Sequence, residues 1–218
     1  MTADRPAQTP DSQPTIMLVD GYGLIFRAFH AIQTSMSTSS GELTNAVFGF
    51  ASMLFNLLNS MKPEYAIVAL ESGRTFRHDQ FAEYKATRAE FPNELRSQVV
   101  RIRELIDALN IPVVERENYE ADDVIGSLAR KYASQGVNVA ILTGDTDLLQ
   151  LVEDHVQVFL PGVKRFDELR RFDRDAVVER YSFGPEFVPD YKALVGDTSD
   201  NIPGVPGIGE KTAKALIN

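Results

Sequence analysis

Cysteine and tryptophan are both absent from the 218 residues, and histidine occurs only three times. Without cysteine there can be no disulfide and no thiolate zinc site. His30, His78 and His155 lie far apart and lack a ligand spacing, so a histidine zinc site is not expected either. Long apolar runs are missing too. No stretch approaches the ~18 residues of a membrane span, and no charged-then-apolar signal peptide opens the chain. No membrane partner is expected, and the cytosol is the default compartment. The first fourteen residues, MTADRPAQTPDSQP, are polar and proline-containing and read as a disordered leader.

The whole chain is 44% hydrophobic, enough for one buried core or a core with an appendage. TIMLVD (15–20) is a short apolar run ending in Asp and reads as a buried strand. YAIVAL (65–70), VNVAILT (137–143) and VQVFL (156–160) read as three more. Helical spacing is expected over 44–59 and 93–110, and again from a cap at Asn118 to a stop at Gly136. Strands alternating with helices imply an α/β fold with a mainly parallel sheet covered on both faces. Past Arg165 the pattern reads as helical only, which divides the chain into a 15–165 core and a 166–218 helical region.

Acids stand where these elements meet. Asp20 ends the first strand; Glu120, Asp122 and Asp123 open a helix; Asp145 and Asp147 follow the third strand; Asp197 and Asp200 sit in a GDTSDN turn. Each set has a bland explanation as a turn former, a cap or a complement to a helix dipole. Three acids in the first turn of one helix exceed what a dipole needs. Carboxylates at element ends can converge in an α/β domain. There they would repel one another unless cations neutralised them. Hard divalent metals are the natural partners, and two of them about 4 Å apart suit phosphodiester hydrolysis.

A net charge of −9 argues against nucleic acid only superficially. Setting those eight acids aside leaves 23 of the 31 Asp and Glu against 22 Lys and Arg. Arg27, Arg77, Lys85 and Arg88 are candidate cations for a phosphate, with Tyr84 available to stack on a base, although any one of them also suits a solvated basic face. The hairpin GVPGIGEKTA (204–213) is the sharpest local signal. Gly204, Gly207 and Gly209 permit a tight turn with exposed N–H groups, and Lys211 and Thr212 begin a helix whose N-terminus favours anions. Such an element grips a DNA backbone without reading bases.

VDGYGLIFRAFHA, TFRHDQFAEYKATR, YEADDVIGSLA, LTGDTDLLQLV and LVGDTSDNIPGVPGIGEKTA resemble, in order, the 5′ nuclease domains of bacterial DNA polymerase I, in the flap endonuclease superfamily. The resemblance spans about residues 15–218. It implies a PIN-like α/β fold with a helix-hairpin-helix (helix–three-turn–helix) element. It also implies hydrolysis of DNA flaps and RNA primers by two Mg²⁺ or Mn²⁺ ions, in a monomer fused to a polymerase in the bacterial cytosol. By motif, the eight acids match the family's metal ligands, and Arg27 and Lys85 match catalytic residues that contact the reacting phosphate. Residues 77–103 match an arch, and 204–213 match a duplex-binding element assisted by K⁺.

Two departures stand out. The family's Asp after the second strand is missing from VALESGRTFRH, where Leu70 and Glu71 stand, and Glu71 is the expected substitute ligand. The chain also ends at AKALIN, inside the first helix after the hairpin, so the C-terminal region reads as truncated. These departures keep a nuclease-impaired DNA-binding module open as an alternative, beside a PIN-type ribonuclease.

Overall fold

The computed structural model describes residues 14–32, 36–71, 73–88, 91–162 and 168–218. The expected leader, apart from Pro14, lies outside the described residues, as does Arg165. Strand β1 (Thr15–Asp20) leads into α1 (Gly21–Ala31), α2 (Asn45–Met61) and β2 (Tyr65–Leu70). A short α3 (Phe76–Gln80) and a long α4 (Asn93–Ala108) precede β3 (Val113–Glu115) and α5 (Ala121–Ala133). Then come β4 (Asn138–Leu142), a 3-10 turn (Asp147–Leu151), β5 (Val156–Pro161) and β6 (Leu169–Phe172). Helices α6 (Arg174–Tyr181) and α7 (Val188–Val195), the two-residue pair β7 (Gly196–Asp197) and β8 (Ile202–Pro203), and α8 (Glu210–Ile217) complete the order.

The main sheet runs β3-β2-β1-β4-β5-β6. Its first five strands are parallel and β6 returns antiparallel on the edge. The segment after Arg165 is therefore not helical only. LRRF lacks the apolar run that marked the interior strands, because an edge strand needs only one buried side. Within β1 the side chains alternate: Ile16 and Leu18 face α5 and the later helices, while Met17 and Val19 face α1, α2 and α4. Both faces are thus covered. Strand order reverses direction at β1, between β2 and β4, which opens a crevice at the carboxyl ends of these strands.

A buried amide pair fixes the α1–α2–α4 layer. Thr44 makes no side-chain cap for α2. Gln98 of α4, 0% exposed, supplies it instead: its Oε1 accepts the Ala46 N–H at 2.8 Å, and its Nε2 donates to Asn45 Oδ1 at 2.9 Å. Asn45 passes the chain of bonds on, donating to the carbonyls of Phe29 and Ile32 at the end of α1. Helix α5 is capped by Glu120 rather than by Asn118, which sits in the left-handed region at φ 70°. The same helix ends at Ala133, three residues short of Gly136.

Candidate active site

Asp20 closes β1 and caps α1. Its Oδ1 accepts the Gly23 N–H at 2.9 Å and its Oδ2 accepts the Thr143 hydroxyl at 2.8 Å. A methyl group on Gly23 would run into that carboxylate, so glycine is required two residues into the helix. Burial, reinforced by Asp145 and Glu71 and opposed by the two hydrogen bonds, lifts the Asp20 carboxyl from 3.8 to about 6. Thr143, fully buried after β4, also accepts the Asp145 N–H at 2.9 Å. Asp145 in turn accepts the Asp147 N–H at 2.8 Å, which folds GDTD into the 3-10 turn. In the first turn of α5, burial and the charges of Asp20, Asp145 and Glu120 hold Asp122 well above the usual carboxylate range.

A cavity of about 660 Å³ opens at this edge, lined by Asp20, Glu71, Glu120, Asp122, Asp145 and Asp197. Leu70 is 1% exposed in the core, so Glu71 is the second-strand residue that reaches the cavity. Asp123, Asp147 and Asp200 face an adjoining groove, which shares Glu120 and Asp122 with the cavity. The two sides therefore meet at the first turn of α5.

Cations hold most of the outer acids. Arg77 grips Asp123 with two bonds of 2.6 and 2.8 Å, and against the effect of burial it keeps that carboxyl below its usual range. Lys85 Nζ lies 2.7 Å from Glu120, and Arg88 donates to Asp200 at 2.8 Å. Lys85 has φ 56°, a left-handed backbone that costs a lysine about 1 kcal/mol or more. Its N–H is bonded to the Asp200 carbonyl at 3.0 Å, which ties the turns after α3 to the β7–β8 loop. Lys192 of α7 pairs with Asp197 at 2.7 Å; burial alone would raise that carboxyl, but Lys192 and Ser199 outweigh it and bring it down to about 2.

Three expectations change. Tyr84 is not available to stack on a base: its ring is 6% exposed, and its hydroxyl lies 3.0 Å from Glu120 and 2.9 Å from Asp200. Burial, then Asp200, pushes the phenol up and keeps it a donor. Arg27 does not line the cavity, because its guanidinium donates to the Gly162 carbonyl at 2.9 Å beyond β5. In the hairpin, Gly204 is packed against the backbone of Val195 and Gly196, so its lack of a side chain serves contact between β7 and β8. Gly207, at φ 83°, makes the turn, and Gly209, the exposed cap of α8, is followed by exposed Lys211 and Thr212.

Several contributors lay outside the sequence reading. Tyr22 and Phe26 form an aromatic wall beside His30, and their signal was spacing: two and six residues past the strand-end Asp20. Thr143 and Lys192 carried no local signal, since their partners are distant in the chain.

Carboxylate oxygens in this number suit hard divalent ions. A second sign is Asp147 Oδ1, a buried oxygen held at 2.6 Å by the Lys192 ammonium, so a cation already stands against it. Donor type and this cation-held buried oxygen fit such ions. Among the described residues no three His, Asp or Glu side chains are grouped to hold a metal as they stand. Arg77, Lys85, Arg88 and Lys192 occupy their oxygens instead.

Known proteins resemble this chain in sequence and fold. DNA polymerase I of Chloroflexus aurantiacus is 53% identical over 94% of the chain and 22% of its own length. That of Bacillus subtilis is 45% identical over 93% of the chain and 23% of its own length. The chain thus spans under a quarter of these curated relatives. Among solved structures, a bacteriophage T5 5′-exonuclease with bound zinc is 25% identical, with a TM-score of 0.71 over 93% of this chain and 74% of that one. A T5 flap endonuclease in a pseudo-enzyme–product complex with DNA and metal ions matches with a TM-score of 0.70, at 25% identity and the same coverage. Residues 15–182 match the 5′-3′ exonuclease N-terminal resolvase-like domain and residues 183–218 the C-terminal SAM fold of the same enzymes, so the chain belongs to the 5′-3′ exonuclease family.

Proposed function

We propose that this chain is the structure-specific 5′ nuclease unit of a longer bacterial polymerase, acting as a monomer in the cytosol. Its substrates are phosphodiesters of branched DNA, namely 5′ flaps and RNA-primed ends. The observation that carries this reading is one cavity at the switch point of the sheet, lined by six acids and faced by Lys85 and Arg88. The relatives named above and the T5 complex with DNA and metal ions support it.

Asp20, Glu71, Glu120, Asp122, Asp145 and Asp197 would hold two divalent ions, Mg²⁺ or Mn²⁺, with Asp123, Asp147 and Asp200 acting from the adjoining groove. When bound, such ions activate water and stabilise the leaving oxygen of a phosphodiester. Thr143 fixes the orientation of Asp20 by its hydrogen bond. Lys85 and Arg88 present positive charge to the reacting phosphate, and the Tyr22 and Phe26 wall offers a face on which a base can stack. Exposed Lys211 and Thr212, at the start of α8, grip a duplex backbone by charge and backbone N–H groups. The family likeness adds a K⁺ ion at that hairpin. Among the described residues no helix is long and apolar enough to cross a membrane.

The test is cleavage of a 5′-labelled flap duplex in Mg²⁺ or Mn²⁺, with EDTA as control and linear RNA as competitor substrate. Cleavage near the flap junction that EDTA abolishes is expected. Preference for linear RNA would favour a ribonuclease. Binding of DNA without cleavage would favour an impaired module.

A further inference from the structure

Lys192 stands on α7, where the helical half of the molecule faces the sheet. Its Nζ lies 2.6 Å from Asp147 Oδ1 and 2.7 Å from Asp197 Oδ2. Both contacts are at hydrogen-bond distance, so the ammonium holds the buried Asp147 oxygen as closely as it holds Asp197. One ammonium therefore sits between two carboxylates that belong to different halves. A divalent ion there would need the same oxygens, and like charges would keep the two cations from sharing them.

The lysine also has somewhere to go. It borders both the main cavity and a neighbouring pocket of about 370 Å³, whose lining includes Thr146, Tyr191, Glu210 and Lys214. Glu210 offers a carboxylate in the lining of that pocket, and a lysine stem has enough rotatable bonds to swing toward it. We propose that Lys192 is a built-in counter-ion that holds the place of a divalent ion between Asp147 and Asp197. On loading it withdraws into the neighbouring pocket toward Glu210. The proposal rests on the metal-dependent reading above and adds an internal competitor that sets how readily one of the two ions is taken up.

Metal affinity tests it directly. Free Mn²⁺ is measured by electron paramagnetic resonance while wild type and Lys192→Met are titrated without DNA. Removing the competing charge is expected to tighten the weaker of two Mn²⁺ sites by about tenfold or more. A second measurement needs no loss of the lysine. In protein with ¹⁵N-labelled lysine, the Lys192 ammonium signal, assigned through Lys192→Arg, is expected to shift as Mg²⁺ saturates the weaker site. Equal Mn²⁺ affinities in the two proteins, even with a lowered Tm in the variant, would leave Lys192 a simple tether and overturn the proposal. An ammonium signal unmoved at saturating Mg²⁺ would do the same. No Mn²⁺ binding by either protein would sink the metal-dependent reading itself.

Discussion

The acids buried at the carboxyl edge of the sheet and the acids paired with outer cations meet the same cavity region in opposite electrostatic states. Asp20 and Asp122 are buried among like charges, and their carboxyls are pushed up. Asp197 and Asp123 are matched by Lys192 and Arg77, and theirs are held down. The sheet edge therefore stores negative charge that lacks a partner, while the outer acids have partners they must release. Rigid strand ends can sustain the first condition. Long cationic side chains on helices supply the second.

The largest effect should come from the unmatched side. Asp145→Asn is expected to lower flap cleavage by about 10²–10³-fold while DNA binding survives, by analogy with loss of one electrostatic stabiliser of a transition state. Asp200→Asn, whose partner Arg88 is itself half-exposed, should cost about tenfold in the same assay. Equal losses would erase the distinction between the two sets. Glu71→Gln is expected to fall between them, and unchanged metal-dependent cleavage would remove Glu71 from the ligand set.

Rigidity of the sheet's helical cover can be broken separately. Gln98→Leu removes the cap of α2 and leaves the Asn45 amide short of a partner, at a cost of about 2 kcal/mol. Tm should drop by about 4–8 °C for a chain of this size, measured by calorimetry. A variant as stable as wild type would show that the α2 cap is dispensable.

The smallest effect is the pH response. Asp20 and Asp147, both raised from 3.8 to about 6, hold protons more tightly in the fold than in the unfolded chain. Their contribution to stability is present below 3.8 and is lost as pH rises through about 6. Asp197, lowered to about 2, contributes the reverse: stability present above 3.8 and lost as pH falls through about 2. Divalent ions replace the missing protons on the raised pair. The rise in Tm on adding Mg²⁺ should therefore be larger at pH 7.5 than at pH 5, and a pH-independent rise would contradict it.

Much of this is legible in the sequence. The strand 65–70 appears with the bounds its apolar run gave, because parallel interior strands are apolar on both faces. The strand-end position of Asp20 and the two acid-bearing turns were equally plain. Less visible were β3, only three residues long, and β6, whose LRRF carries two exposed arginines. Gln98, a polar residue in an amphipathic helix, carried no sign of its role, yet it is buried to serve another helix. Tyr84 and Lys192 could not be placed because their partners, Asp200 and Asp147, lie far along the chain. Spacing reveals which residues share an element, and long-range polar pairing leaves no periodic trace.

Asp20 serves two masters, since one of its oxygens starts a helix and the other receives a hydroxyl from the residue just past a different strand. A screen that scores soluble but inactive protein would seldom recover substitutions there, because the lesion would register as poor yield before it registered as lost turnover. Asp145 is the better place to make an inert decoy for capturing substrates, its side chain owing the architecture only the start of one short turn.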